Sequence, residues 1–168
     1  MEGSASNDNT VKKRKTRRDL MLIGAIVLAV GVLAAAMLPF INGMIMTRNF
    51  QEFKDRYGES MLIARSINRA ELVKDGELRT VTADAASQVY NLILTAGMGK
   101  VQKQVPEGEP AELRFKNGAV IKFWESEIPE KSARTDVGLF IRYEEPDGYI
   151  YMYDTDKLTM KSINNILK

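Results

Sequence analysis

KKRKTRRDLMLIGAIVLAVGVLAAAMLPFI, residues 12–41, decides the architecture of this chain. From Leu20 to Ile41 it holds 22 consecutive residues without a charge. A run of roughly 20 apolar residues spans a bilayer as a helix. Lys12, Lys13, Arg14, Lys15, Arg17 and Arg18 crowd its N-terminal flank, and basic residues on one flank are retained on the cytoplasmic side. These six form the topology signal. The reading gives a cytoplasmic basic tail over 1–19, a transmembrane helix over 20–46 and an extracytoplasmic remainder.

A cleaved signal peptide competes with that anchor, because Ala34-Ala35-Ala36 supplies small residues of the cleavage type. Met37, Leu38, Pro39, Phe40 and Ile41 carry the apolar run past them, and cleavage there would leave a greasy terminus. The anchor is therefore the expectation. Pro39 is expected to end or bend it. Gly24, Gly31 and Ala35 share one helical face, and small residues spaced in this way let a second helix approach closely. They are the candidate helix–helix contact.

With 168 residues in all, about 120 are left beyond the span, enough for one small domain. Of 24 basic and 22 acidic residues, six and three precede the span, which leaves 18 and 19 beyond it. The exported part is thus nearly neutral, and nucleic acid is unsupported as a partner. There is no cysteine, so neither disulfides nor a lipid-modified cysteine hold this chain. A cysteine-free exported domain without an Asn-x-Ser/Thr acceptor suits a bacterial cell envelope.

Phe50, Phe53 and Tyr57 recur at helical spacing and predict a juxtamembrane stalk over 47–58, lying at the interface or docking on the domain, with Gly58 ending it. The domain follows over 59–168. Residues 60–68 and 69–74 read as extended, with a tight turn at Asp75-Gly76 into 77–81. Thr82 caps a helix over 83–96, whose Ala85, Val89, Leu92, Ile93 and Ala96 make one stripe and which Gly97 stops. Two hairpins are expected, about Asn117-Gly118 and about Pro146-Asp147-Gly148, and then a short helix over 160–167. The fold class is α+β: an N-terminal transmembrane helix, then a small antiparallel sheet packed with two helices on one face. Leu139, Ile141, Tyr143, Tyr151 and Tyr153 mark the covered face. In the first hairpin Phe115, Val120, Lys122 and Trp124 are expected on one side, and Arg114, Lys116, Ile121 and Phe123 on the other.

The chain has no histidine. Without histidine and cysteine, serine–histidine and cysteine–histidine catalysis, His/Cys zinc sites and histidine-ligated haem are excluded. Gly97-Met98-Gly99-Lys100 has a phosphate-loop flavour but follows a helix, so it reads as a helix stop. Glu125, Glu127 and Glu130 could supply a carboxylate pair, yet acidic residues at a strand end commonly guard a sheet edge. Asp154 and Asp156 lack the glycine and distal glutamate of a calcium loop. No catalytic residue, cofactor or metal is assigned. Trp124, Tyr149, Tyr151 and Tyr153 form the candidate binding surface, since tyrosine joins apolar area to a polar tip; burial under the terminal helix is their competing fate.

The layout is similar to that of small, N-terminally anchored extracytoplasmic proteins of Gram-positive bacteria, a generic likeness that gives no residue a role. The expected function is a single-pass membrane protein presenting a non-enzymatic domain that binds a protein or ligand of the envelope. A carboxylate-dependent hydrolase and an accessory subunit acting through its transmembrane helix are the alternatives. The expected partners are the lipid bilayer and another membrane or envelope protein.

Overall fold

The computed structural model describes the backbone of residues 5–127 and 137–168, and the side chains of 20–126 and 138–168. The chain divides into two compact units, Met1–Ile45 and Met46–Lys168. Helix α1 (Ala5–Ile67) contributes to both and has Pro39 in its interior, so the proline does not end it.

Within the first unit, the described part of α1 is apolar and exposed from Leu20 onward, as a helix made to face lipid would be. It is long and apolar enough to cross a membrane.

The second unit is α+β. After α1 come β1 (Ala70–Lys74), β2 (Glu77–Val81), α2 (Ala83–Ala96), β3 (Lys100–Val101), β4 (Ala111–Arg114), β5 (Val120–Glu127), β6 (Val137–Glu144), β7 (Ile150–Thr155) and α3 (Met160–Ile166). Among the described residues the strands make one sheet of seven, in the order β2-β1-β4-β5-β6-β7-β3, and every pairing is antiparallel.

Helix α2 has the expected bounds for the expected reasons. The Thr82 side chain accepts from Ala85 N–H, and Gly97 closes the helix at φ 76° with its N–H on the Ile93 and Leu94 carbonyls. Val89 and Ile93 are fully buried.

Two expectations fail near the start of the domain. Gly58 does not end the first helix, and 60–67 is not extended. The helix carries on because its stripe carries on: Met61 and Ala64 extend the row of Phe50, Phe53 and Tyr57, and all five are buried. Gly58 serves packing instead, since a Cβ there would lie 3.1 Å from the Tyr90 hydroxyl. The stop falls at Asn68, which takes φ 52°. Arg69 N–H reaches the Ala64 carbonyl and Asn68 N–H the Arg65 carbonyl, a Schellman pair closed by asparagine.

All three hairpins pair as antiparallel neighbours, but the first of the long ones differs in register from expectation. Gly118 N–H bonds the Phe115 carbonyl, Phe115 N–H bonds the Ala119 carbonyl, and Gly118 has φ 85°. This is a three-residue loop with a glycine bulge, not a two-residue turn. The extra residue shifts the parity. Phe115 therefore joins Leu113, Ile121 and Phe123 on the covered face, and Arg114 joins Val120, Lys122 and Trp124 on the other. The β6–β7 loop at 145–149 has the same construction, with Gly148 at φ 90°.

The covered face carries Leu72, Leu113, Ile121, Phe123, Leu139, Ile141, Tyr143, Tyr151 and Tyr153, all buried. Residues 50–64 of α1, together with α2 and α3, complete that core with Phe53, Tyr57, Val89, Ile93, Ile163 and Leu167. The opposite face is charged over much of its width. Lys122 lies 3.5 Å from Glu112 and 2.7 Å from Glu144, and Arg142 lies 2.7 Å from Glu144. At one end Trp124 and Phe140 meet edge to face and are buried.

Candidate functional site

In the first unit the candidate site is the apolar helix. Gly24 and Gly31 have open space where a Cβ would stand, and Ala35 is exposed. A face of this kind permits close helix approach. The side chains of Lys12, Lys13, Arg14, Lys15, Arg17 and Arg18 lie outside the described residues.

In the second unit the four aromatics proposed as a surface do not come together as one. Tyr151 and Tyr153 point into the core, 5% and 0% exposed. The Phe53 ring stacks on Tyr151 at 5.1 Å, and Phe50 meets Tyr153 edge on at 6.3 Å. The expected burial is real, but the covering element is α1. Trp124 belongs to the opposite face of the sheet, where its Nε1–H donates to the Gly108 carbonyl at 3.0 Å. Tyr149 is half-buried, with the Arg56 guanidinium 4.3 Å from its ring centroid and its hydroxyl out of contact with solvent.

Arg56 is the centre of a polar cluster on the covered side of the sheet. It bonds Glu145, Asp147 at 2.8 Å and Glu52 at 3.3 Å. Beside it the Tyr143 hydroxyl lies 2.9 Å from Ser60 Oγ and 3.1 Å from the Arg56 carbonyl, and it bonds the Glu145 carboxylate. Asn117 Nδ2–H donates to Ser60 Oγ at 2.9 Å. One face of α1 is thereby tied to both long hairpin loops. Burial, helped by the Glu145 carboxylate, holds the Tyr143 hydroxyl well above its ordinary range. The Tyr149 N–H and Arg56 hold Asp147 below the usual carboxylate range. Serine, tyrosine and glutamate here make a hydrogen-bonded seam between α1 and the two hairpin loops. Sequence reasoning missed this seam. Its members are scattered from 52 to 147, and only pairing brings them together.

The carboxylates gather less than their spacing suggests. Glu125 is exposed, while Glu127 and Glu130 have side chains outside the described residues. Glu125 does border a cleft of about 300 Å³ with Trp124, Glu107, Glu109 and Lys74. A second cleft of about 450 Å³ holds Lys100, Ser126, Asp154 and Asp156. There Asp154 already accepts from Gln102 Nε2 at 2.8 Å. Among the described residues no group of three acidic, histidine or cysteine side chains could hold a metal ion. Gly99 is required by packing: a Cβ would lie 1.9 Å from the Asp154 carbonyl oxygen.

A family model described as the ubiquitinol-cytochrome C reductase Fe-S subunit TAT signal matches residues 8–45. The match covers the basic flank and the apolar helix and leaves the α+β unit untouched. It fits a chain anchored through one N-terminal helix. No curated protein and no solved structure matches the chain. The feature that sequence reasoning passed over is Arg17-Arg18, two adjacent arginines one residue before the uncharged run that begins at Leu20, which were counted there only as positive charge.

Proposed function

We propose that residues 1–45 are a twin-arginine export signal retained as a single-pass anchor, which leaves Met46–Lys168 on the outer side of a bacterial membrane. There the α+β unit acts as a non-enzymatic module that binds another envelope protein or a ligand. The observation that carries this reading is the match over 8–45, with Arg17-Arg18 set against 22 uncharged residues. Twin arginines are an address read by a receptor, whereas positive-inside retention counts charge. Both can operate on the same six residues. A binding role is supported by the chemistry that is missing: the chain has no histidine or cysteine to build a nucleophile–base pair, and its buried serine–tyrosine–glutamate seam serves to fasten a helix.

The double substitution Arg17→Lys/Arg18→Lys separates address from charge, because it keeps every positive charge. Protease added outside spheroplasts is expected to digest the C-terminal unit of the parent chain and to spare that of the double variant. Unchanged digestion of the variant would refute the twin-arginine address. Protection of the parent chain would refute the orientation, and a membrane species lacking its first 36 residues would refute the retained anchor.

A further inference from the structure

The sheet ends in two edges of unequal character. β3 is two residues long and begins with Lys100, so shortness and a lysine guard it. β2 has neither protection. Its residues Glu77-Leu78-Arg79-Thr80-Val81 include no proline or lysine, and the first four are exposed, Leu78 at 63%. Arg79 Nε donates to Glu77 at 3.2 Å, so the edge neutralises its own charge.

The turn fixes which groups this edge offers. Asp75 and Gly76 have φ of 53° and 74°, a two-residue turn that makes Lys74 and Glu77 the closing hydrogen-bonded pair. Alternation then directs the main-chain groups of Glu77, Arg79 and Val81 to β1, and those of Leu78 and Thr80 outward. An antiparallel partner must meet Leu78 and Thr80. If the partner is another β2 related by a two-fold axis normal to the sheet, three registers are open. Centring on Arg79 sets two arginines directly opposite, and like charges there are destabilising. Centring on Thr80 leaves Glu77 and Arg79 without cross-strand charge partners. Centring on Leu78 places Glu77 opposite Arg79 twice, in the closer non-hydrogen-bonded pairs. It also puts Leu78 against Leu78, each beside its neighbour Val73, in a row of four aliphatic side chains.

We propose that β2 is a self-pairing edge through which two copies of this chain join their sheets, centred on Leu78. A five-residue edge is smaller than a standard interface. Confinement of both copies to one membrane would raise their effective concentration and let so small a contact suffice; this one point rests on the anchor reading.

The chain has no cysteine, so Leu78→Cys in the full chain is a clean probe. In the proposed register the two cysteines have Cα atoms about 5.5 Å apart, within disulfide reach. Treated with oxidised glutathione in isolated membranes, this variant is expected to give a disulfide dimer of the 18.9 kDa chain. Leu62→Cys, at a helical site 64% exposed, should give little. Adding Arg79→Glu to Leu78→Cys should lower the yield about tenfold, and adding Glu77→Arg as well should restore it. Equal yields from the two cysteine positions, or a yield indifferent to Arg79→Glu, would overturn the proposal. The ratio is read in whichever fraction the chain sediments, so a lost anchor is told apart from a lost contact.

Discussion

Raising the pH tests the aromatic core directly. All six tyrosines, Tyr57, Tyr90, Tyr143, Tyr149, Tyr151 and Tyr153, have hydroxyls held above their ordinary value, and burial is the first cause in each. Tyr149 and Tyr151 are pushed up to about 12. In the unfolded chain each ionises near 10. The folded state therefore holds protons that the unfolded state releases, and stability falls as pH rises. It is fully present below about 10 and is lost from there through the folded values. Each proton released only on unfolding removes about 1.4 kcal/mol per pH unit. Tyr57, Tyr143, Tyr151 and Tyr153 are all at most 5% exposed, and together they steepen the loss to about 5 kcal/mol per pH unit. Against a total stability of about 5–15 kcal/mol, unfolding should come within one to three units above pH 10, roughly. The assay follows tyrosinate absorbance and Trp124 fluorescence of the full chain in detergent micelles. Both should change together, in one steep transition. A shallow tyrosinate titration starting near pH 10 with unchanged fluorescence would show accessible rings and refute the packing of α1 on the sheet.

Two further predictions bear on the same core. The Tyr57 hydroxyl is buried with no hydrogen-bond partner among the described residues, so Tyr57→Phe should raise stability by about 1 kcal/mol in denaturant unfolding. A loss of stability there would mean that the hydroxyl has a partner. A soluble fragment starting at Met46 should unfold cooperatively on heating, whereas one starting at Glu59 should not, because it lacks Phe50, Phe53 and Tyr57 and strips the cover from Tyr151 and Tyr153. Equal cooperativity of the two fragments would show that the helix is dispensable.

Much of this fold was legible because its signals are local. Thr82, the stripe ending at Ala96, and Gly97 lie in one window, and α2 follows from them. Asp75-Gly76 and Pro146-Asp147-Gly148 likewise announce their turns. The errors arise where a local signal has two meanings. Gly58 could stop a helix or let a tyrosine approach, and only the later Met61 and Ala64 decide. Asn117-Gly118 could be a two-residue turn or the end of a three-residue loop, and the choice moves Arg114 and Phe115 to opposite faces. The Arg56 seam was not legible at all, since Ser60, Asn117, Tyr143 and Glu145 become neighbours only through strand pairing. Arg17-Arg18 was visible but submerged in its basic surroundings.

The same geometry narrows where recognition can occur on the second unit. Several of its polar side chains are already paired: Arg56 with three carboxylates, Tyr143 with Ser60, and Lys122 with two glutamates across the charged face. Groups already paired must break those contacts to meet a partner, and the gain from each exchange is small. Main-chain groups at a free strand edge have no such competitor but water. Of the two edges, β3 is cut short and begins with a lysine, while β2 offers outward N–H and C=O groups flanked by a leucine and a self-complementary charge pair. If two copies of the chain join as proposed, the leucine and the charge pair of this edge supply the contact.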